Sequence, residues 1–211
     1  MKFVIFHGSY SDPSANWFPE LKAKLTLLGE KVIVPQFPVD DWEKVTKRGI
    51  KNQSPIENLT NWLTIFEKEV LPTIINEKNL CFIGHSLGPL FILHVVEKFN
   101  IKLDSAIFVC PFLKKLNRSW QIDYVNQSFY KEEFNFRKLK KLIPVSYVLY
   151  SDNDPYVDEK YSLQFARKIK SKLILVKKGG HLNTEFGFTK FPLIFELCLK
   201  RLNEVKLSNN L

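Results

Sequence analysis

The amino-acid sequence predicts an α/β fold, a three-layer sandwich in which about six parallel strands are covered by helices on both faces, with a minimal cap. Short apolar runs rich in β-branched residues recur along the chain, and stretches with apolar residues at helical spacing separate them. One run, Leu80 to Ile83, is hydrophobic without alternation, as a strand buried on both faces must be.

Taken in order, strands are expected at Phe3 to Phe6, Lys31 to Val34, Leu80 to Ile83, Ala106 to Val109, Val145 to Tyr150 and Leu173 to Val176, with Leu80 to Ile83 in mid-sheet. Helices are expected at Trp17 to Leu28, Ile56 to Ile75, Pro89 to Phe99, Lys160 to Ile169 and Phe191 to Leu202. The second helix should open at Ser54-Pro55-Ile56-Glu57, where a capping hydroxyl precedes a proline and a carboxylate able to reach back. Between Pro111 and Leu142 the pattern is irregular, aromatic and lysine-rich, and reads as an excursion or small lid over the sheet. Leu207 to Leu211 read as a frayed tail.

The bulk properties exclude several classes. With 211 residues, 45% hydrophobic and 25% charged, residues 1–211 suit one domain with a well-buried core and not a disordered chain. No apolar stretch reaches the roughly 18 residues of a membrane span, because His85, Ser86, Pro89 and His94 interrupt the longest. Met1 to Gly8 is too short for a signal-peptide core, and the three cysteines, Cys81, Cys110 and Cys198, form no Cys-x-x-Cys pair. A cytoplasmic protein with inert buried thiols and no metal is expected. The net charge of +9 gathers in Lys114-Lys115, Arg137-Lys138, Lys140-Lys141, Arg167-Lys168 and Lys177-Lys178. These pairs are scattered and accompany no nucleic-acid motif, so no nucleic-acid partner is expected.

Gly84-His85-Ser86-Leu87-Gly88 follows the most buried strand and precedes an amphipathic helix, the context in which a G-x-S-x-G stretch forms a sharp turn presenting a nucleophilic serine. Only small neighbours fit two positions either side of Ser86, and the helix N-terminus beside it favours developing negative charge. A serine hydroxyl needs a base, and the base needs an orienting acid. Of the four histidines, His7, His85 and His94 sit in strand end, elbow and helix, whereas His181 lies in the turn Lys178-Gly179-Gly180-His181-Leu182-Asn183 after the last strand. His181 is the candidate base. Asp154 is the first candidate acid because Pro155 pushes its backbone out of the helical region; Asp152, nearer the strand end, stands as the alternative, and Asp158 suits a helix cap. The N–H of Leu87 and a donor at Ser9, after the first strand, are the candidate oxyanion hole. Gly8, Trp17, Phe112, Trp120 and Tyr156 are candidate substrate-binding residues, aromatics in such places serving equally as core.

Phe6-His7-Gly8 with Asn16-Trp17-Phe18-Pro19, Gly84-His85-Ser86-Leu87-Gly88, Ser151 to Val157, and Gly179-Gly180-His181-Leu182-Asn183 span nearly the whole chain. Together they resemble the retinoblastoma-binding protein 9 and YdeN-like family of small serine hydrolases, of the α/β-hydrolase superfamily. The resemblance implies a six-stranded parallel sheet, a catalytic triad at Ser86, Asp154 and His181, no cofactor, and hydrolysis of a small ester or amide substrate. A Leu-x-Cys-x-Glu stretch, the signature of retinoblastoma-protein binding, is absent, so that partner is not implied. A protein of this fold acting mainly as a protein-interaction module is the alternative.

Overall fold

The computed structural model describes residues 1–49, 54–131 and 133–209. A six-stranded, wholly parallel sheet is formed by β1 (Lys2–Phe6), β2 (Lys31–Ile33), β3 (Leu80–His85), β4 (Ser105–Val109), β5 (Val145–Tyr150) and β6 (Lys172–Leu175), in the order β2-β1-β3-β4-β5-β6. β3 lies between β1 and β4, and all of its residues are buried. The order reverses between β1 and β3, so both strands deliver their following loops to the crevice where ligands bind in open α/β sheets.

The helices are α1 (Phe18–Leu27), α2 (Trp42–Arg48), α3 (Leu59–Ile65), α4 (Leu71–Ile74), α5 (Gly88–Phe99), α6 (Trp120–Asn126), α7 (Phe136–Leu142), α8 (Glu159–Ile169) and α9 (Pro192–Asn209). Alternate strand residues feed two cores. Val4, Phe6, Phe82 and Phe108 pack with Trp62, Phe91, Leu139 and Phe165 of α3, α5, α7 and α8, while Phe3, Ile5, Ile83 and Ile107 pack with Leu21 and Leu25 of α1 and Ile194 and Cys198 of α9. Each fully buried side chain of this size contributes about 1.5–3 kcal/mol, and the double coverage is why the strands read as continuous apolar runs.

Several elements differ from the sequence expectation. The second helix starts at Leu59, capped by Asn58, whose side chain accepts the N–H of Asn61; Glu57 turns inward and is buried instead of folding back on a cap. The expected single helix 56–75 is broken by a π-helical turn, Phe66–Val70, in which the N–H of Leu71 bonds to the carbonyl of Phe66. Pro72 follows at once, and its missing N–H and bulky ring account for the widened turn. α2, capped by Asp41, stands in a stretch where no element was expected. Residues 111–142 contain α6, a 3₁₀ turn (Gln127–Phe129) and α7, so the irregular composition still folds into short, well-capped helices. α9 continues through residues 207–209 of the expected frayed tail; residues 210 and 211 of that tail lie outside the described residues.

Residues of three of the basic pairs also come together in space. α7 and α8 bring Arg137, Lys138 and Lys140 beside Arg167 and Lys168 around one open recess, with Glu97 and Glu133 as its carboxylates. No helix among the described residues is long and apolar enough to cross a membrane.

Candidate active site

Three strand ends build the site. β3 ends in the turn at Ser86, which has φ +58°, a left-handed backbone that costs a non-glycine residue about 1–2 kcal/mol. Its neighbours explain why the turn demands glycine. A Cβ on Gly84 would lie 2.6 Å from the backbone nitrogen of Pro89, and one on Gly88 would lie 2.5 Å from the carbonyl oxygen of Phe6. Gly8, at the end of β1, is equally constrained, because a Cβ there would sit 2.8 Å from the Cβ of Ser86. The N–H of Ser86 is held by the carbonyl of Val109 at 2.9 Å, and α5 begins two residues later with its free N-terminal N–H groups beside the serine.

The loop after β5 supplies Asp154 and the loop after β6 supplies His181. His181 Nδ1 lies 2.7 Å from Asp154 Oδ2, both side chains being buried. The other oxygen of Asp154 accepts the N–H groups of Tyr156 and Val157 at 2.8 and 2.9 Å. Burial pushes the Asp154 carboxyl up, but His181 and these two N–H groups outweigh it and hold it below the usual carboxylate range. The ionised carboxylate therefore fixes Nδ1 as the protonated nitrogen and leaves Nε2 free to act as a base. Asp152 is not in this position: its carboxylate accepts the N–H of Lys178 and braces the loop before His181. Asp158 caps α8 through the N–H of Lys160.

The His181 loop is fastened at many points. Ser151 Oγ accepts the N–H of Gly179, and Asn153 Oδ1 accepts that of Gly180. His85 Nε2 donates to the carbonyl of His181 at 2.9 Å, and Trp17 Nε1 donates to that of Leu182 at 3.1 Å. Ser151 and Asn153 sit within a run of acid candidates, and nothing in their spacing singles them out as loop anchors. His85 is fully buried and its pKa is pushed down to about 3, chiefly by burial and then by His181, so it is a neutral strut. His7 plays a similar part: Nε2 accepts the N–H of Phe37, Nδ1 donates to the carbonyl of Gly8, and burial lowers its pKa to about 4.

Ser86 and His181 line two adjoining cavities. One, of about 290 Å³, is walled by Tyr10, Trp42, Leu116, Ile122, Tyr156 and Val157, with Glu185 at its edge. The other, of about 230 Å³, is polar, with Gly8, Ser11, Asp12, Asn16 and Asn183. Three of the expected pocket aromatics stand elsewhere. Trp17 is fully buried behind the His181 loop, Phe112 is buried in the core, and Trp120 is 41% exposed at the start of α6. Ser9 lines both cavities, and its hydroxyl donates to Asn126 Oδ1 at 2.6 Å.

His85, Cys110 and His181 are a described trio whose ligand atoms lie within 4.8 Å of one another. They do not suit a metal. His85 is committed to a carbonyl, His181 to Asp154, and the Cys110 thiol is pushed well above its ordinary range by burial and by the Asp154 charge.

Comparison with known proteins agrees with this architecture. YdeN of Bacillus subtilis is 25% identical over 195 residues, covering 92% of each chain. The crystal structure of the ydeN gene product superposes with a TM-score of 0.79 at 24% identity, covering 96% of this chain and 98% of that one. Est1E from Butyrivibrio proteoclasticus shares the fold at a TM-score of 0.68 and 14% identity, covering 96% and 88%. The meta-cleavage product hydrolase from Pseudomonas fluorescens does so at 0.65 and 14%, covering 97% and 91%. The model of the family described as serine hydrolase matches residues 3–200, nearly the whole sheet and all three strand-end loops, and the chain therefore belongs to that family.

Proposed function

We propose that this protein hydrolyses an ester or amide bond of a small substrate through an acyl-enzyme formed on Ser86. The observation that carries the reading is the 2.7 Å contact between His181 Nδ1 and Asp154 Oδ2, made by an imidazole that shares both cavities with Ser86. His181 Nε2 removes the Ser86 proton as Oγ attacks the carbonyl carbon. Asp154 stabilises the imidazolium, which then gives its proton to the departing alcohol or amine. Water, deprotonated by the same imidazole, releases the acid and regenerates the serine. The N–H groups of Leu87 and Ser9 stabilise the oxyanion, each such donor contributing about 3–4 kcal/mol.

The two cavities support a compact substrate with one apolar and one polar half. Tyr156 lines the apolar cavity, and its hydroxyl donates to Glu185 at 2.9 Å, closing the rim. The test is labelling with a fluorophosphonate followed by turnover of graded p-nitrophenyl esters and aminoacyl amides. Wild type should label and Ser86→Ala should not. Well-folded wild type that takes up no label would overturn the reading in favour of an interaction module.

A further inference from the structure

Tyr10 N–H and Ser9 Oγ, in the loop that carries one oxyanion donor, are held from beneath by two buried polar side chains that the mechanism above does not use. Glu57 is 0% exposed. Its Oε2 accepts the N–H of Tyr10 at 3.1 Å, its own N–H is given to Asp40 Oδ2 at 2.8 Å, and its Oε1 has no hydrogen-bond partner. Asn126, at the end of α6 and also fully buried, accepts the Ser9 hydroxyl, and that hydroxyl is the polar side chain beside the Glu57 carboxyl. Among the described residues the titratable groups facing Glu57 are Asp40 from the loop after β2 and Tyr10 from the loop after β1, with Tyr124 of α6 beyond Tyr10; none of these three is a cation.

An ionised carboxylate buried in these surroundings has no cation beside it among the described residues, and the Ser9 hydroxyl can turn toward it only by giving up its bond to Asn126. A protonated one has a proton that Oε1, otherwise unpartnered, can turn to the nearby Ser9 Oγ, while Ser9 Oγ–H stays on Asn126 Oδ1 and Oε2 keeps the Tyr10 N–H. We infer that Glu57 is a positioning residue that, as a neutral acid, fastens Ser9 and Tyr10 at the mouth of the Ser86 cavities, and that its ionisation loosens this loop. The inference rests on the reading of Ser86 as nucleophile. Burial, with a smaller contribution from Asp40, pushes the Glu57 carboxyl up to about 8 against the opposing Tyr10 N–H and Ser9 hydroxyl. The proton is thus held at neutral pH and lost just above it.

The experiment is the pH dependence of fluorophosphonate labelling rate and of kcat/KM. Wild type should show an alkaline limb near pH 8, falling about tenfold per unit. Glu57→Gln presents an N–H to Ser9 and an oxygen to Tyr10 without ionising. It should keep the pH 7 rate within about threefold and lose the limb. A limb of the same position in Glu57→Gln, or no limb in wild type, overturns the inference while labelling of Ser86 survives; no labelling in either protein overturns the reading beneath it. Should Glu57→Gln fail to fold, Asp40→Asn serves, because it keeps an acceptor for the Glu57 N–H while removing the neighbouring charge. Its limb should move to lower pH, and one that stays in place overturns the inference.

Discussion

The Nε2–H of His85 is donated to the main-chain carbonyl of His181 at 2.9 Å, so the residue before Ser86 holds the loop that carries the opposing imidazole. The turn at Ser86 and the proposed base, His181, are thereby one mechanical unit. Because burial keeps His85 neutral down to about pH 3, this bond should not respond to pH in the working range. Replacing His85 with leucine should lower kcat by about tenfold or more and stability by about 1–3 kcal/mol, with KM little changed. Steady-state kinetics and urea denaturation of the variant read both, and an unaltered kcat would separate the two elements.

Asp154 and Asp152 hold different things, and their asparagine variants should differ accordingly. Asp154→Asn no longer fixes the His181 tautomer and should lose about 10⁴-fold in kcat. Asp152→Asn keeps an oxygen to accept the Lys178 N–H and should stay within about tenfold of wild type. Equal losses in turnover would contradict the assignment of the acid.

The elbow glycines should be limited by space. Gly88→Ala puts a methyl against the Phe6 carbonyl, 2.5 Å away, and should cost about 3 kcal/mol or more in denaturant unfolding. At Ser86, the proposed nucleophile, Ser86→Gly should be more stable than Ser86→Ala, by up to about 1–2 kcal/mol, because glycine accepts φ +58° freely. Both should be inactive; the reverse order of stability would mean the turn is not strained.

Glu57 should also shape the stability curve. Its folded pKa is raised from 4.5 to about 8, so between those values the unfolded chain gives up a proton that the folded protein keeps. Stability should therefore be greatest below about pH 4.5 as far as this group is concerned, fall as pH rises to about 8, and level off above it. Urea midpoints for wild type and Glu57→Gln across this window check the sign, the variant showing the shallower decline.

What the sequence determined by itself was local or periodic. The buried run Leu80 to Ile83 had to be an inner strand, because only a position between two parallel neighbours hides every side chain, and it pairs with β1 and β4. Gly84 and Gly88 around Ser86 declare a turn too crowded for Cβ atoms, a requirement set within five residues. The remaining decisions depend on contacts between segments far apart in the chain. Ser54 to Glu57 carries a sound local cap signal, yet Asn58 caps the helix and Glu57 is drawn under the loop after β1, since tertiary burial outweighs a cap worth about 1 kcal/mol. Trp17 reads equally well as pocket wall or core, and only the docking of α1 against the last loop directs its indole to Leu182. The basic pairs look scattered along the chain because α7 and α8, which bring residues of three of them together, are joined through β5 and its loop. Spacing along a chain governs which way neighbouring side chains point, whereas which distant side chains meet is set by how the whole sheet and its helices pack.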